Sequence, residues 1–107
     1  MQKPDLVVVF VTVSNSEEAE KITSTLLEKR KAACVNVIPA VFSRFWWQGR
    51  IDSADESLLI IKTKASVVED VIRLVKANHS YSTPEIIALP IVEGDDDYLT
   101  WVDGEVR

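Results

Sequence analysis

The 107-residue sequence contains one cysteine, one histidine and three glycines, and each scarcity excludes a class of protein. A single cysteine, Cys34, cannot form an internal disulfide, which favours a reducing compartment. Gly49, Gly94 and Gly104 belong to no phosphate-binding or dinucleotide-binding motif, so no nucleotide cofactor is expected. No charged and apolar leader opens the sequence. Together these features predict a cytoplasmic protein.

Long apolar segments and concentrated positive charge are also lacking. The longest apolar run, Leu6 to Val11, is far shorter than the roughly 20 residues that cross a bilayer. The formal net charge is −5, and from Glu85 onward seven acidic residues accompany only Arg107. The one dense basic group, Lys29 to Lys31, falls at the end of a predicted helix, where it complements the helix dipole. We therefore expect neither a membrane nor nucleic acid as a partner.

Hydrophobic periodicity in the first half of the sequence predicts a strand, a helix and a second strand. Leu6–Val13 is β-branched and continuously apolar, which is typical of a central strand covered on both faces. Ser14 to Ser16 offer helix N-caps, and the helical spacing that follows predicts a helix to about Lys31. Strand character resumes at Cys34–Ile38, and Pro39 predicts a bulge or a sheet edge.

The second half predicts a hairpin arm, a second helix, a last strand and a short terminal helix. Apolar alternation and turn-forming residues set their bounds. The hairpin arm consists of the strand Phe42–Trp47, the turn Gln48-Gly49 and a return strand that begins at Arg50-Ile51, is interrupted by the polar residues Asp52–Glu56 and resumes at Ser57–Thr63. After it come a helix from the capping box Ser66–Glu69 to about Asn78, the strand Ile86–Val92 and the helix Tyr98–Val102.

The resulting order, β-α-β-β-α-β with a short C-terminal helix, is that of ferredoxin-like α+β domains. We expect residues 1–107 to form one such domain, in which two helices cover one face of a four-stranded antiparallel sheet. The other face stays bare although its strands are apolar. Phe45, Trp46 and Trp47 lie together on the arm, and consecutive strand residues cannot all enter one core. We expect self-association to cover this face, the alternative being that one ring joins the core and the others shelter the arm.

The most informative segment is His79-Ser80-Tyr81-Ser82-Thr83-Pro84-Glu85. It places an imidazole, a phenol and a carboxylate between a predicted helix and a predicted strand, at the rim of the sheet, where a small domain presents chemistry. A helix C-cap explains His79 equally well. A nucleophilic pair of Cys34 and His79 would need two distant segments to meet and has no oxyanion hole nearby, so no catalytic residue is predicted.

Three blocks of the sequence resemble the CutA family of divalent-cation-tolerance proteins. They are Ala32-Ala33-Cys34-Val35-Asn36-Val37-Ile38-Pro39, the turn Trp47-Gln48-Gly49-Arg50-Ile51, and Tyr81-Ser82-Thr83-Pro84-Glu85-Ile86-Ile87, which occur in order and at the family spacing. The resemblance implies a homotrimer similar to the nitrogen-regulatory PII proteins, with hairpin arms paired between neighbours. It also implies a link to copper tolerance, and binding of copper or another divalent ion.

Only one metal ligand carries over to this sequence from that resemblance. Copper-binding relatives are thought to use a first-strand cysteine and two adjacent histidines, and the matching positions here are Val11, Asn78 and His79. A lone imidazole is a weak site for copper or zinc unless other ligands converge on it. Cys34, Glu85 and the run Asp95–Asp97 are the candidates for such ligands, although structural roles are favoured for the cysteine and the aspartates.

Two functions stay open at this point. The first is a non-catalytic trimer that binds a divalent ion such as Cu(II), or a small ligand, in clefts between subunits. The second is a PII-like signalling or scaffold trimer that binds a small molecule or a partner protein without metal. The resemblance and the rim segment together give the expected cleft or interface residues, which are Tyr81, Glu85, Trp47, Asn36, Lys62 and Trp101.

Overall fold

The predicted order of elements is present in the computed structural model, which describes residues 4–107. The strands are β1 (Leu6–Val13), β2 (Cys34–Trp47), β3 (Arg50–Lys64) and β4 (Ile86–Pro90), and the helices are α1 (Ser16–Glu28), α2 (Val68–Ala77) and α3 (Asp96–Glu105). The sheet order is β2-β3-β1-β4, and every neighbouring pair is antiparallel. The ferredoxin-like α+β architecture is therefore confirmed.

Alternate residues of β1 divide the sheet into a covered face and an open face. Val9 and Val11 pair with Ile61 and Leu59 of β3, and all four are fully buried in the core that α1 and α2 complete. Phe10 lies between the two valines, points to the opposite face and is only half-buried. Since strand side chains alternate, the helices can cover only every second residue of this apolar run.

The open face is apolar across its middle, with Asn36 and Lys62 towards one end. The apolar residues that point to it are Val8, Phe10, Ile38, Leu58, Ile60, Ile87 and Leu89. Of these, Ile38, Ile87 and Leu89 are 40%, 51% and 43% exposed. α3 packs through Leu99 and Val102 against Leu6, so it covers only the end of the sheet near that residue. Large apolar patches are uncommon on monomers and mark surfaces that meet a partner.

Beyond β1, β2 and β3 continue as a two-stranded hairpin arm, in which residues 41–47 pair with residues 50–56. Gln48 and Gly49 at its tip have positive φ angles of 51° and 81°, which a tight hairpin turn requires. At the base, the register shifts between Ile38 and Val41, and the Ser57 hydroxyl donates to the Pro39 carbonyl oxygen at 2.9 Å. The bulge predicted at Pro39 is confirmed.

Three predictions in the middle of the chain are wrong. α1 ends at Glu28 rather than near Lys31, because Arg30 adopts a left-handed φ of 61°. β3 has no polar interruption, since pairing with β2 keeps residues 52–56 extended. The capping box at Ser66 is not formed, because a short 3-10 turn precedes α2 and its N-cap, Val67, makes no side-chain capping bond.

The C-terminal elements also differ from their predicted bounds. β4 stops at Pro90 rather than Val92, because its pairing with β1 ends there. α3 is twice as long as predicted because Asp95 caps it, accepting the Tyr98 backbone N–H at 3.0 Å. The acidic run is thus a helix start and not a solvated loop. Within residues 4–107, no helix combines the length and apolarity needed to cross a bilayer.

Candidate functional site

An open groove of about 970 Å³ lies where the hairpin arm leaves the sheet. One wall is the arm, through residues 42–47 and 52–54, and the other wall is the loop of residues 81–85. Thr12 and Glu56 also line it. The groove brings together three of the predicted site residues: Trp47 lies beside Tyr81 and Glu85, which follow it by 34 and 38 positions in sequence.

The aromatic side chains of the arm divide between its two faces. The register of β2 and β3 places Phe45 and Trp47 on the same face as Glu56, and Phe42 and Trp46 on the other. Phe45 and Trp47 are 39% and 45% exposed, whereas Phe42 and Trp46 are 67% and 73% exposed. The arm therefore offers one aromatic face beside the carboxylate and a second, more exposed face to its surroundings.

A hydrogen bond between Tyr81 and Glu56 closes the groove at its base. The Tyr81 hydroxyl donates to Glu56 Oε2 at 3.0 Å. Burial, followed by the bond to Glu56 and the charge of that carboxylate, raises the pKa of Tyr81 to about 12. The phenol is therefore protonated at neutral pH and stays a donor. Sequence reasoning missed Glu56 because it treated residues 52–56 as an interruption, although counting back by twos from Leu58 places it on the open face.

The His79 ring is fully buried and has partners at both nitrogens. Nε2 lies 2.8 Å from the Thr12 carbonyl oxygen, and the Tyr81 backbone N–H donates to Nδ1 at 3.0 Å. A carbonyl only accepts, so Nε2 carries a proton and donates to Thr12, while Nδ1 also faces the Glu18 carboxylate. The ring also lies 4.8 Å from the Tyr81 ring, centroid to centroid. His79 therefore fixes the loop that forms one wall of the groove.

Glu18, beside His79, is a second residue that the sequence did not single out. Its carboxylate lies 3.1 Å from His79 Nδ1 and accepts the Ser80 backbone N–H at 2.7 Å, the Ser80 hydroxyl at 2.9 Å and the Ser14 hydroxyl. Burial raises the pKa of the Glu18 carboxyl, but the bonds from Ser14 and Ser80 and the charge of His79 outweigh that effect and leave the pKa below its ordinary value. The network joins the β1–α1 turn to the loop after α2.

The other predicted site residues form a separate group towards α3. Lys62 Nζ donates to Asn36 Oδ1, and Cys34 Sγ lies 3.9 Å from the same oxygen. Trp101 packs beside Tyr98 on α3, with ring centroids 5.7 Å apart. Since Lys62 and Glu56 are six residues apart on β3, the two groups lie about 20 Å from one another. The six predicted cleft residues therefore do not form a single site within one chain.

Metal ligands do not converge in the part of one chain that the structure describes. Among residues 4–107, no group of three histidine, cysteine, aspartate or glutamate side chains is placed to hold an ion. Val11 is fully buried in the core, and the Asn78 side chain donates to the Leu74 carbonyl oxygen at 2.8 Å. The described residues of a single copy therefore do not fit a copper or zinc ion, and such an ion needs ligands from more than one copy.

The sequence matches the family model of the CutA1 divalent ion tolerance protein over residues 7–105. This chain belongs to the CutA1 family. The match covers all of the sheet except its first residue, both walls of the groove and α3. The resemblance inferred from the sequence blocks is thereby confirmed, and the groove can be assigned to a CutA fold.

Several CutA proteins are similar to this chain over nearly all of its length. The chloroplastic CutA protein of Arabidopsis thaliana is 45% identical over 101 residues, which are 94% of this chain and 56% of that protein. The crystal structure of CutA1 from Oryza sativa matches with a TM-score of 0.95 and 41% identity, over 98% of this chain and 96% of that one. The periplasmic divalent cation tolerance protein CutA from Archaeoglobus fulgidus matches with a TM-score of 0.92 and 43% identity, over 95% and 99%.

These CutA relatives differ in length and in compartment. This chain spans a little over half of the Arabidopsis protein but almost all of the Archaeoglobus chain. One relative is named chloroplastic and another periplasmic. A cytoplasmic location for this chain therefore stays a prediction.

Proposed function

We propose that this CutA-family chain is a non-catalytic, cytoplasmic homotrimer in divalent-cation tolerance, and that it binds a divalent ion, copper above all, or a small ligand in the clefts between its subunits. The apolar open face carries this proposal, since Ile38, Ile87 and Leu89 stay about half exposed. Covering such a face with another copy removes apolar surface from water, which stabilises the assembly by roughly 25 cal/mol for each Å² buried.

The hairpin arm supports a ligand site at the seams. Phe42 and Trp46 on its outer face are the most exposed aromatic side chains of the described chain. Pairing of that face with a neighbouring copy would place the neighbour next to the groove that Trp47, Tyr81 and Glu85 line. A ligand in the groove would then contact two subunits, and its affinity would depend on how they are arranged.

Divalent-ion binding follows the family name and the chemistry of the groove walls. Glu56 and Glu85 offer carboxylate oxygens, but they do not form a three-ligand group within one chain. We propose that a neighbouring subunit completes the ion's coordination. His79 can coordinate the ion only by giving up its bond to Thr12 or to Tyr81. Coordination by His79 therefore costs more free energy than coordination by Glu56 or Glu85.

A metal-free signalling or scaffold trimer is the second candidate. One observation favours it, namely that both nitrogens of the only histidine already have protein partners. In this case a small molecule or a partner protein occupies the same clefts, and the CutA trimer acts as a binding module.

Light scattering at micromolar concentration tests the assembly. We expect the mass of three copies of the 12.0 kDa chain. Replacement of an open-face residue, Ile60→Lys, should shift the mass towards one chain because a buried unpaired ammonium is strongly disfavoured. The matched control is Leu27→Lys, at an apolar residue of α1 that is 40% exposed on the other side of the molecule. A monomer in the natural protein contradicts the proposal.

Isothermal titration with Cu(II) separates the two candidate functions. The natural trimer and a His79→Ala variant are compared, with circular dichroism to establish that the variant folds. Stoichiometric heat in the natural protein supports the metal-binding function, and its loss in the variant assigns His79 as a ligand. The absence of stoichiometric heat in the natural trimer removes the metal-binding function and leaves the second candidate.

A further inference from the structure

Glu56 is a buried carboxylate without a charged partner among the residues that the structure describes. It is 6% exposed, and its side chain has one hydrogen bond, from the Tyr81 hydroxyl to Oε2. Among residues 4–107, no lysine, arginine or histidine forms an ion pair with it. A carboxylate has about four acceptor positions, so Glu56 can accept further hydrogen bonds from a group in the groove. Buried charges in proteins are normally paired, because an unpaired one is costly.

The surroundings of Glu56 combine negative charge with aromatic rings. Phe45 and Trp47 point to the same face of the arm, and Asp52 and Glu85 line the same groove. Arg44 is the only basic residue of the lining, and the strand register turns it to the opposite face of the arm. The groove therefore presents acids at its base and rim, and ring faces between them.

We infer that this groove binds a small organic cation, whose ammonium group bonds to Glu56 and whose apolar body lies against Phe45 and Trp47. This inference rests on the small-ligand form of the proposed function, not on the divalent ion, and deepens it by naming the chemical class of that ligand. An N–H donor on a cation forms short, charge-assisted bonds with a carboxylate. The faces of tryptophan and phenylalanine also attract cations, which a purely apolar ligand cannot exploit.

The Tyr81 bond prepares Glu56 for such a ligand. Because the phenol occupies Oε2, it fixes the carboxylate plane and leaves Oε1 for a second donor. Tyr81 is itself held by the neighbouring His79, which accepts the Tyr81 backbone N–H. An organic cation satisfies Glu56 with one ammonium group, whereas a chelated metal ion needs several ligands, which residues 4–107 do not bring together.

Paired probes with one ring and opposite charges test the inference. The assembled protein is titrated with 2-phenylethylamine and with 3-phenylpropionate, and binding is followed by calorimetry and by tryptophan fluorescence. We expect the amine to bind at least about tenfold more tightly than the carboxylate, since bonds to charged groups are worth that much or more. Equal affinities, or tighter binding of the carboxylate, overturn the inference.

Matched variants locate the binding site. Glu56→Gln keeps the shape and an acceptor for Tyr81 but removes the charge, so amine affinity should fall about ten- to a hundredfold. Asp55→Asn is the control, because it removes an exposed acid one residue away on the other arm face and should change affinity less than twofold. Asp52→Asn, at an exposed acid of the groove, should weaken binding a few-fold and serves if Glu56→Gln does not fold.

Light scattering on the same samples separates this inference from the proposed assembly. A folded trimer that binds no amine overturns the inference and leaves the trimer intact, and it is the result expected if a neighbour's own side chain fills the groove. A single chain that binds the amine through Glu56 supports the inference and contradicts only the assembly. Amine binding that neither Glu56→Gln nor Asp52→Asn weakens overturns the groove as its site.

Discussion

Two glutamates in this fold are buried to nearly the same extent, Glu18 at 9% and Glu56 at 6% exposure, yet their surroundings differ. Glu18 accepts hydrogen bonds from the backbone and hydroxyl groups of both Ser14 and Ser80, and it lies beside His79. Glu56 accepts one, from Tyr81. Burial alone therefore does not separate a structural carboxylate from a candidate binding group, whereas the number of donors around it does.

The position of each carboxylate in the fold explains the difference. Glu18 lies in the first turn of α1, where the β1–α1 turn and the loop after α2 both bring donors to it. Glu56 lies on the open side of β3, where the arm leaves the sheet and Tyr81 of the 81–85 loop donates to it. A carboxylate at such a junction has room for a partner that the described residues do not supply.

The largest effect is expected from replacing each glutamate by glutamine. Glu18→Gln should lower the free energy of unfolding by about 1–3 kcal/mol, because its amide cannot accept from all the donors that surround it. Glu56→Gln should change that energy by less than about 1 kcal/mol, since the amide oxygen still accepts the Tyr81 proton. Chemical denaturation, at one protein concentration for both variants, measures the difference.

Equal losses of stability in the two glutamine variants would contradict this comparison. In that case Glu56 would have a charged partner within the folded protein, and the groove would lose its unpaired carboxylate. Glu17→Gln provides the baseline, because Glu17 is an exposed acid in the same turn of α1 as Glu18.

The dependence of the unfolding free energy on pH, on the acid side, should also distinguish Glu18 from the exposed Glu17. Its folded pKa lies below the ordinary value of 4.5, so the stabilisation is complete above that pH and is lost as the pH falls through the folded pKa. Glu18→Gln should therefore show a flatter decline in unfolding free energy below about pH 4.5. Glu17→Gln should retain the decline of the natural protein. An unchanged decline in Glu18→Gln would mean that the Ser14 and Ser80 bonds do not stabilise the ionised form.

Local patterns in the sequence were sufficient to predict the sheet and part of the groove. The apolar run of β1 and Pro39 predicted the open face and the bulge, and the segment after His79 predicted one groove wall. Strand alternation places Glu56 on the open face, but the hydrogen-bond partner of neither glutamate could be found this way, because each partner lies in a distant segment. Glu18 meets Ser80 across 62 positions and Glu56 meets Tyr81 across 25. Such contacts are set by tertiary packing and leave no periodic signal in the sequence.

The smallest expected effect is a partial fall in the pKa of Tyr81, which burial and Glu56 together raise to about 12. Because this pKa lies above the ordinary 10.0, the stability that the protonated phenol contributes is complete below pH 10 and is lost towards pH 12. Glu56→Gln should lower the Tyr81 pKa only part of the way, since burial, the larger cause, remains.

Tyrosinate absorbance against pH measures this change, and a Tyr81→Phe variant assigns the transition because the pKa of Tyr98 is raised as well. An unchanged Tyr81 transition in Glu56→Gln would mean that the carboxylate does not hold the phenol. Glu56 would then lack even its one protein partner, and its need for a cation from outside the chain would be greater. A full return to the ordinary value would instead show that Glu56 dominates, and that the groove is wetter at its base than its burial indicates.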